Sequence, residues 1–319
     1  MQAIGLSVTL FRPDPAAALQ LVSDAERAGI DAIWLPALPM SFDPLTLLAA
    51  AALRTERIVL GTGIVPTYPR HPAALVSQAL AVAALAPDRL RLGLGVSHPF
   101  IISGQLGLPF HPPIEHLREY VTIVRGLLEK GRIEFDGRYF SVHAQLAAPP
   151  TPLPIPISAL RPRMFQLAGE ISDGAITAWC PIPYLIEKAL PALARGAREA
   201  GRPRPPLIAN VPIVVCEDRE AVRAAAREAL GMYLVAPAYA DMFRQAGFAI
   251  PADLVPPDPL IDALFAWGTP ARVADRLREA TRAGVDELMI TIHPARDPVK
   301  ETAAAFEMLG SLCAELRAR

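Results

Sequence analysis

The 319 residues suffice for one large domain or two smaller ones, and an apolar content of 52% can fill a large core. With 31 basic and 32 acidic side chains the formal charge is -1, which argues against nucleic acid or an anionic membrane as partner and favours a small neutral or modestly charged ligand. Lysine occurs only at Lys130, Lys188 and Lys300, so the arginine excess reads as compositional bias rather than a phosphate-binding surface. Cys180, Cys216 and Cys313 are too widely and irregularly spaced for a disulfide framework or a zinc knuckle. The chain opens on a strand pattern, without a basic segment and apolar signal core, and no apolar run reaches membrane-spanning length. A cytoplasmic protein is expected.

The opening strand, Ile4 to Leu10, leads to a helix from Pro15 to Ala28, with Asp14 as its cap and Pro15 at its first position. Gly29 stops that helix before a strand at Ala32 to Leu35. The same alternation gives a helix from Pro44 to Arg54, a strand at Ile58 to Leu60, a helix from Pro72 to Leu85 and a strand at Leu90 to Val96. Residues 97–153 exceed a simple connection; they hold a helix from Pro112 to Leu128, then a turn with a short extended segment over Gly131 to Val142.

Regular alternation resumes with strands at Ile155 to Ala159, Gly174 to Ala178 and Leu207 to Val215, separated by helices at Arg163 to Ile171 and Pro183 to Ala200. A helix from Asp218 toward Met232 precedes a second irregular insertion, Tyr233 to Trp267. A helix from Pro270 to Ala283, a strand at Glu287 to Ile292 and a helix from Pro298 to Leu316 complete eight strand-helix units. Such alternation closes as a single-domain (β/α)8 TIM barrel over 1–319, with insertions after strand 4 and between strands 7 and 8; an open doubly wound sheet is the other topology. In a barrel, function lies at the C-terminal ends of the strands.

Strand 3 ends Gly61-Thr62-Gly63-Ile64, where glycine on both sides of Thr62 would let a flat ligand approach the backbone, or would simply make a tight turn. The alternating Gly93 and Gly95 lie within strand 4 rather than opening a helix, which speaks against a dinucleotide fingerprint. Ser97 and His98 follow as candidate contacts to a ring, and His71 is either a helix cap or a packing residue. The six histidines contain no metal-binding run and no nucleophile triad can be assembled, so no metal is assigned and an organic cofactor would have to supply difficult chemistry.

The segments Arg57 to Ile64, Arg70-His71-Pro72, Asp88 to Gly95, Leu167 to Gly174, Gly268-Thr269-Pro270 and Ala283 to Glu287 occur in an order that resembles the luciferase-like monooxygenase superfamily, across nearly the whole chain. The pattern is most similar to the F420-dependent oxidoreductase branch. That resemblance implies a barrel, often dimeric, that binds the deazaflavin at its mouth and transfers a hydride. It would place Thr62, Gly63 and Ile64 against the ring, a cis peptide at Gly63-Ile64, Ser97 and His98 near the ring edge or ribityl chain, and Ala159, Arg161, Arg163 and Met164 at the phosphate end. A helix N-terminus there suits phosphate, and Arg161 or Arg163 would add charge.

Many relatives carry an acidic residue or histidine just beyond strand 2, whereas this chain reads Trp34-Leu35-Pro36-Ala37-Leu38-Pro39-Met40. Any proton transfer would then fall to His98, Tyr68 or a water, with Met40, Tyr68 and Trp179 as substrate wall. The expected function is hydride transfer between F420 and a small organic substrate. The alternatives are an FMN-dependent luciferase-like monooxygenase and a non-catalytic flavin- or deazaflavin-binding protein.

Overall fold

The computed structural model describes residues 3–8, 14–37 and 40–318. The first half contains β1 (Ala3–Ser7), α1 (Pro15–Arg27), β2 (Ala32–Leu35), α2 (Pro44–Ala52), β3 (Val59–Thr62), β4 (Val65–Pro66), α3 (Pro72–Leu85), β5 (Leu90–Arg91) and β6 (Leu94–Gly95). Then come α4 (Pro113–Lys130), β7 (Arg132–Asp136), β8 (Ser141–Gln145), β9 (Ile157–Ser158), α5 (Pro162–Ile171), β10 (Ala175–Thr177), α6 (Ile182–Tyr184) and α7 (Leu190–Glu199). The last part holds β11 (Leu207–Val214), α8 (Arg219–Leu234), α9 (Pro237–Gln245), α10 (Asp258–Leu264), β12 (Ala266–Trp267), α11 (Pro270–Arg282), β13 (Glu287–Ile292) and α12 (Pro298–Arg317).

The result is an α/β fold on a curled, parallel sheet. Its pairing runs β9, β10, β11, β13, β1, β2, β3, β5, with β4 and β6 extending the third and fourth strands and β6 pairing back onto β9. Strands 3 and 4 stay hydrogen-bonded across their interruptions, through Leu60 N to Arg89 O at 2.7 Å, Val65 N to Gly93 O at 2.8 Å and Thr67 N to Gly95 O at 2.9 Å. The central strands β1, β2, β10, β11 and β13 are buried along almost their whole length, as expected of parallel strands covered on both faces.

The helix starts follow from local sequence. Asp14, Asp43, Asp218, Thr269 and Asp297 each accept backbone amides of the helix they precede, and all but Asp218 are followed by a proline that fixes the first helical φ. His71 does the same for α3, accepting the Ala73 amide at 3.3 Å, which settles its role as a cap.

Two regions are more ordered than the sequence reading gave them. Residues 132–145 form an antiparallel hairpin, β7 with β8, whose turn is held by the Glu119 carboxylate accepting the amides of Arg138, Tyr139 and Phe140. The stretch after α8 contains α9, α10 and the short β12, which pairs with β11, so it is not irregular. The helix expected over 183–200 is composite, with a π-helical segment at Leu185–Ala189 before α7. The end of the opening strand, Thr9 and Leu10, lies outside the described residues.

The interior of the curl is filled by a small cluster, Ala32, Trp34, Ile176, Ile208 and Met289, with Val59 and Ile64 against it. Trp34 is its centre. It is fully buried, its Nε1 donates to Glu287 Oε1 at 2.9 Å, and Arg91 holds the other carboxylate oxygen at 2.5 Å. A Cβ on Gly61 would lie 2.4 Å from the Trp34 ring, and one on Gly5 2.7 Å from it. Both glycines therefore make room for the indole. Gly61 does not open a ligand approach, which corrects one reading of the strand 3 glycines.

Candidate active site

Strand alternation puts Glu287, Met289, Thr291 and His293 on the inward side of the last strand, as it puts Ile208 and Asn210 on the inward side of β11. Above the Trp34 cluster, Asn210 donates to the Met289 carbonyl at 3.1 Å and to Thr291 Oγ1 at 2.7 Å. His293 stands one inward step higher, at the C-terminal edge. It is 5% exposed, and burial pushes its pKa down to about 4, so its imidazole is neutral near pH 7.

The Gly63-Ile64 peptide is cis. Its surroundings tie it to strand 2: the Gly63 amide donates to Leu35 O at 2.9 Å, and Ile64 O accepts the Ala37 amide at 3.2 Å. Ile64 rests on the Trp34 cluster from above and keeps part of its surface open. A Cβ on Gly95 would strike Ile64 at 2.8 Å and Ser158 Oγ at 2.4 Å, so that glycine leaves Ile64 its place. Thr62 is fully buried, with its hydroxyl donating to Gly93 O at 2.8 Å; it shapes the wall without presenting a polar group to the mouth.

Ser97 sits at φ 57°, a left-handed turn that carries the chain from strand 4 into His98. His98 is half-buried, stacks on Phe100 with ring centroids 5.4 Å apart, and meets Tyr239 of α9 at 5.8 Å. Burial lowers its pKa. From Tyr239 the aromatic contacts continue to Tyr233 at 4.9 Å, then Trp179 at 5.0 Å, and from Trp179 to Phe265 and His293, each at 5.7 Å. This wall joins the ends of strands 4, 6 and 8 and brings together Ser97, His98 and Trp179.

Two other candidates fall elsewhere. Tyr68 stacks on His116 at 3.9 Å and Phe110 at 4.8 Å, and its hydroxyl donates to the His111 carbonyl at 2.7 Å. Burial raises its pKa, so it remains a phenol, and its hydroxyl proton is engaged by the His111 carbonyl. Met40 is 90% exposed on a surface turn at φ 55°, outside the buried aromatic wall.

At the fifth strand Ala159 is buried, with its amide bonded to Ile176 O at 2.8 Å. The chain then enters α5 with Arg161 as the N-terminal flanking residue and no side-chain cap. Met164 is half-buried, and its amide donates back to Arg161 O at 2.9 Å. Arg161 lies 3.5 Å from Asp241 with both groups about half exposed, whereas Arg163 is exposed and, among the described residues, has no ion pair. An uncapped helix start with a free guanidinium suits a phosphate.

The residues of this strand edge that the sequence did not single out are His293, Asn210, Thr291, Tyr233 and Tyr239. His293 follows a strand end and could have been found there; the tyrosines have no local signal, because only the packing of α8 and α9 brings them to the mouth. Two cavities, of about 280 Å³ beside α6 and α11 and about 260 Å³ at the N-terminal edge near Arg91 and Glu287, lie away from this constellation. The strand-end chemistry places the candidate site more firmly than cavity size does.

Residues 3–287 match the family model for luciferase-like monooxygenase. The chain belongs to the luciferase-like monooxygenase family. Among its relatives, the 5,10-methylenetetrahydromethanopterin reductase of Archaeoglobus fulgidus is 28% identical over 288 residues, covering 83% of this chain and 86% of that protein. An F420-dependent glucose-6-phosphate dehydrogenase of Beutenbergia cavernae is 32% identical over 215 residues, 63% of this chain and 64% of the relative. The fold matches that of an F420-dependent secondary alcohol dehydrogenase in complex with an F420-acetone adduct, with TM-score 0.83, 20% identity and 99% coverage of both chains.

Proposed function

We propose that this luciferase-like protein is an F420-dependent oxidoreductase that moves a hydride between the deazaflavin and a small organic substrate. The fold would be a single (β/α)8 barrel over 1–319, with the hairpin-bearing insertion after strand 4 and the helical insertion between strands 7 and 8 shaping its mouth. The carrying observation is the joint placement of His98 and the Ile64 pad at one strand edge, with the uncapped start of α5 beyond them. The F420-dependent relatives in sequence support this cofactor, while proteins of the same fold include one in complex with FMN.

The residues fit such a group. Gly63 and Ile64 offer an apolar platform for a tricyclic ring, Ser97 and His98 border it, and Ala159, Arg161, Arg163 and Met164 form the phosphate end. Bound F420 would supply the two-electron hydride chemistry. The protein's part is to seat the ring, exclude water with Trp179, Tyr233 and Tyr239, and handle a proton at His98. During substrate oxidation the neutral His98 imidazole accepts the substrate's hydroxyl proton, and during reduction the imidazolium returns it. Thr62 contributes by holding strands 3 and 4 together at the wall.

α2 and α3 contain no charged residue, although Thr46, Ala74, Ser77, Gln78, Ala81 and Ala84 face outward, which supports a homodimer through these helices. Light scattering would give a dimer mass. The hydride-transfer reading is tested by anaerobic visible spectroscopy: addition of an alcohol and ketone panel to protein with oxidised or reduced F420 should change the deazaflavin absorbance. No change over a broad panel would refute it.

A further inference from the structure

The connections that leave the C-terminal ends of the strands are nearly devoid of charge. No Asp, Glu, Lys or Arg occurs in residues 32–42, 62–69, 93–114, 177–186 or 288–295, nor between Leu230 and Ala240 where α8 and α9 cross the mouth. The charges that do stand at this edge are mostly cancelled. Asp43 pairs with Arg70 at 2.5 Å, Asp218 with Arg296, and Arg161 with Asp241 at 3.5 Å. Asp14, Arg163 at the phosphate end, Glu217 and Arg272 are exposed, the last lying over the Trp267 ring, and Arg12 lies outside the described residues.

The opposite edge is built differently. There Arg91 pairs with Glu287, Arg125 and Arg202 with Asp173, Arg204 with Asp286, and Arg317 with Asp31. The near absence of ions is therefore local to the functional edge and does not reflect the composition of the chain. A second observation points the same way: Phe42, Phe100 and Leu106, on those same uncharged connections, are 48%, 41% and 40% exposed. Exposed large apolar side chains on the connections beside a candidate site fit a surface kept for an apolar ligand.

We infer that the substrate of this site is an uncharged, largely apolar small molecule, and that phosphorylated or carboxylated substrates are refused. This deepens the hydride-transfer reading and rests on it. A carboxylate or phosphate brought against Trp179, Tyr233, Tyr239 and His98 would lose its hydration without meeting a countercharge, at a cost no neutral analogue incurs. His98 adds no compensating charge near pH 7, since burial keeps it neutral. Relatives in the same family that act on anions would need a cation at the substrate side, and among the described residues of this edge the cations without an ion pair are Arg163 at the phosphate end and Arg272, which lies over the Trp267 ring.

The test begins with fluorescence titration of F420, whose failure would count against the cofactor reading alone. Cyclohexanone and 4-oxocyclohexanecarboxylate are then titrated calorimetrically into the protein, both cofactor-free and F420-loaded. The inference predicts that the neutral ketone binds at least tenfold more tightly than its carboxylate. Equal affinities, a preference for the carboxylate, or binding of neither would overturn it. Phe100→Lys provides a second arm: F420 affinity should stay within twofold while the preference for the neutral ketone falls at least fivefold, and an unchanged ratio would contradict the inference.

Discussion

Replacing Gly61 by alanine separates a packing role from a ligand role. The added methyl would stand 2.4, 2.7 and 2.9 Å from Trp34 Cε3, Cζ3 and Cδ2, far inside van der Waals contact. The indole cannot swing away freely, because it is fully buried and its Nε1 is fixed to Glu287 at 2.9 Å. Overpacking of this kind costs about 1–3 kcal/mol, and weakening the Trp34–Glu287 bond adds about 1 kcal/mol. The lower entropy of the unfolded alanine chain returns about 0.4–1 kcal/mol. A net loss of about 1–4 kcal/mol is expected in urea unfolding followed by circular dichroism. In a Trp34→Leu background, where the clashing ring is gone, Gly61→Ala should cost less than about 0.5 kcal/mol, a coupling that reports direct contact. F420 affinity of the folded Gly61→Ala protein should change by less than threefold. A Gly61→Ala protein of near wild-type stability but with cofactor affinity down tenfold or more would refute the packing assignment and restore the ligand-approach reading.

Acid should destabilise the fold before the carboxylates titrate. His116 and His293 are buried and neutral, with pKa values lowered to about 4, whereas an unfolded histidine titrates near 6.5. Their contribution is complete above pH 6.5 and is lost as pH falls toward 4, by up to about 3 kcal/mol each; urea midpoints flat from pH 7 to 4.5 would contradict this. His98→Asn should lower kcat about a hundredfold with F420 affinity within threefold, and should abolish an acid limb that lies below pH 6.5 in substrate oxidation. Tyr68→Phe should leave kcat within about threefold, since its hydroxyl is spent on the His111 carbonyl; a loss like that of His98→Asn would reinstate it as a proton donor. Arg163→Ala should weaken F420 about tenfold and reduce the salt dependence of binding, more than Arg161→Ala, whose charge is shared with Asp241; equal effects of the two would refute the distinction.

The alternation of strands and helices was legible because its signals are local. Asp-Pro and Thr-Pro helix starts, β-branched runs and the 3.6-residue spacing all act within a few residues, and α3 and β13 were bounded correctly from them. The hairpin at 132–145 escaped because its turn is stabilised from outside, by Glu119 on α4. The mouth was only half legible. Ser97, His98 and Trp179 stand at strand ends where function is expected, but Tyr233 and Tyr239 reach the same place through the packing of two helices more than fifty residues after Trp179. Gly61 shows the converse limit: a glycine beside a strand end reads alike whether it faces a ligand or an indole, and only the position of Trp34 decides.

The strand edge bearing Ile64 and His98 is proposed to bind F420 for hydride transfer. Parallel anaerobic titration of the purified protein with F420 and FMN, followed by hydride exchange with each bound cofactor, tests it most directly. Selective F420 binding is expected, weakened by Arg163→Ala, with hydride exchange that slows about a hundredfold in His98→Asn. Tight FMN binding with oxygen-dependent substrate conversion, and no measurable binding of F420, would contradict it.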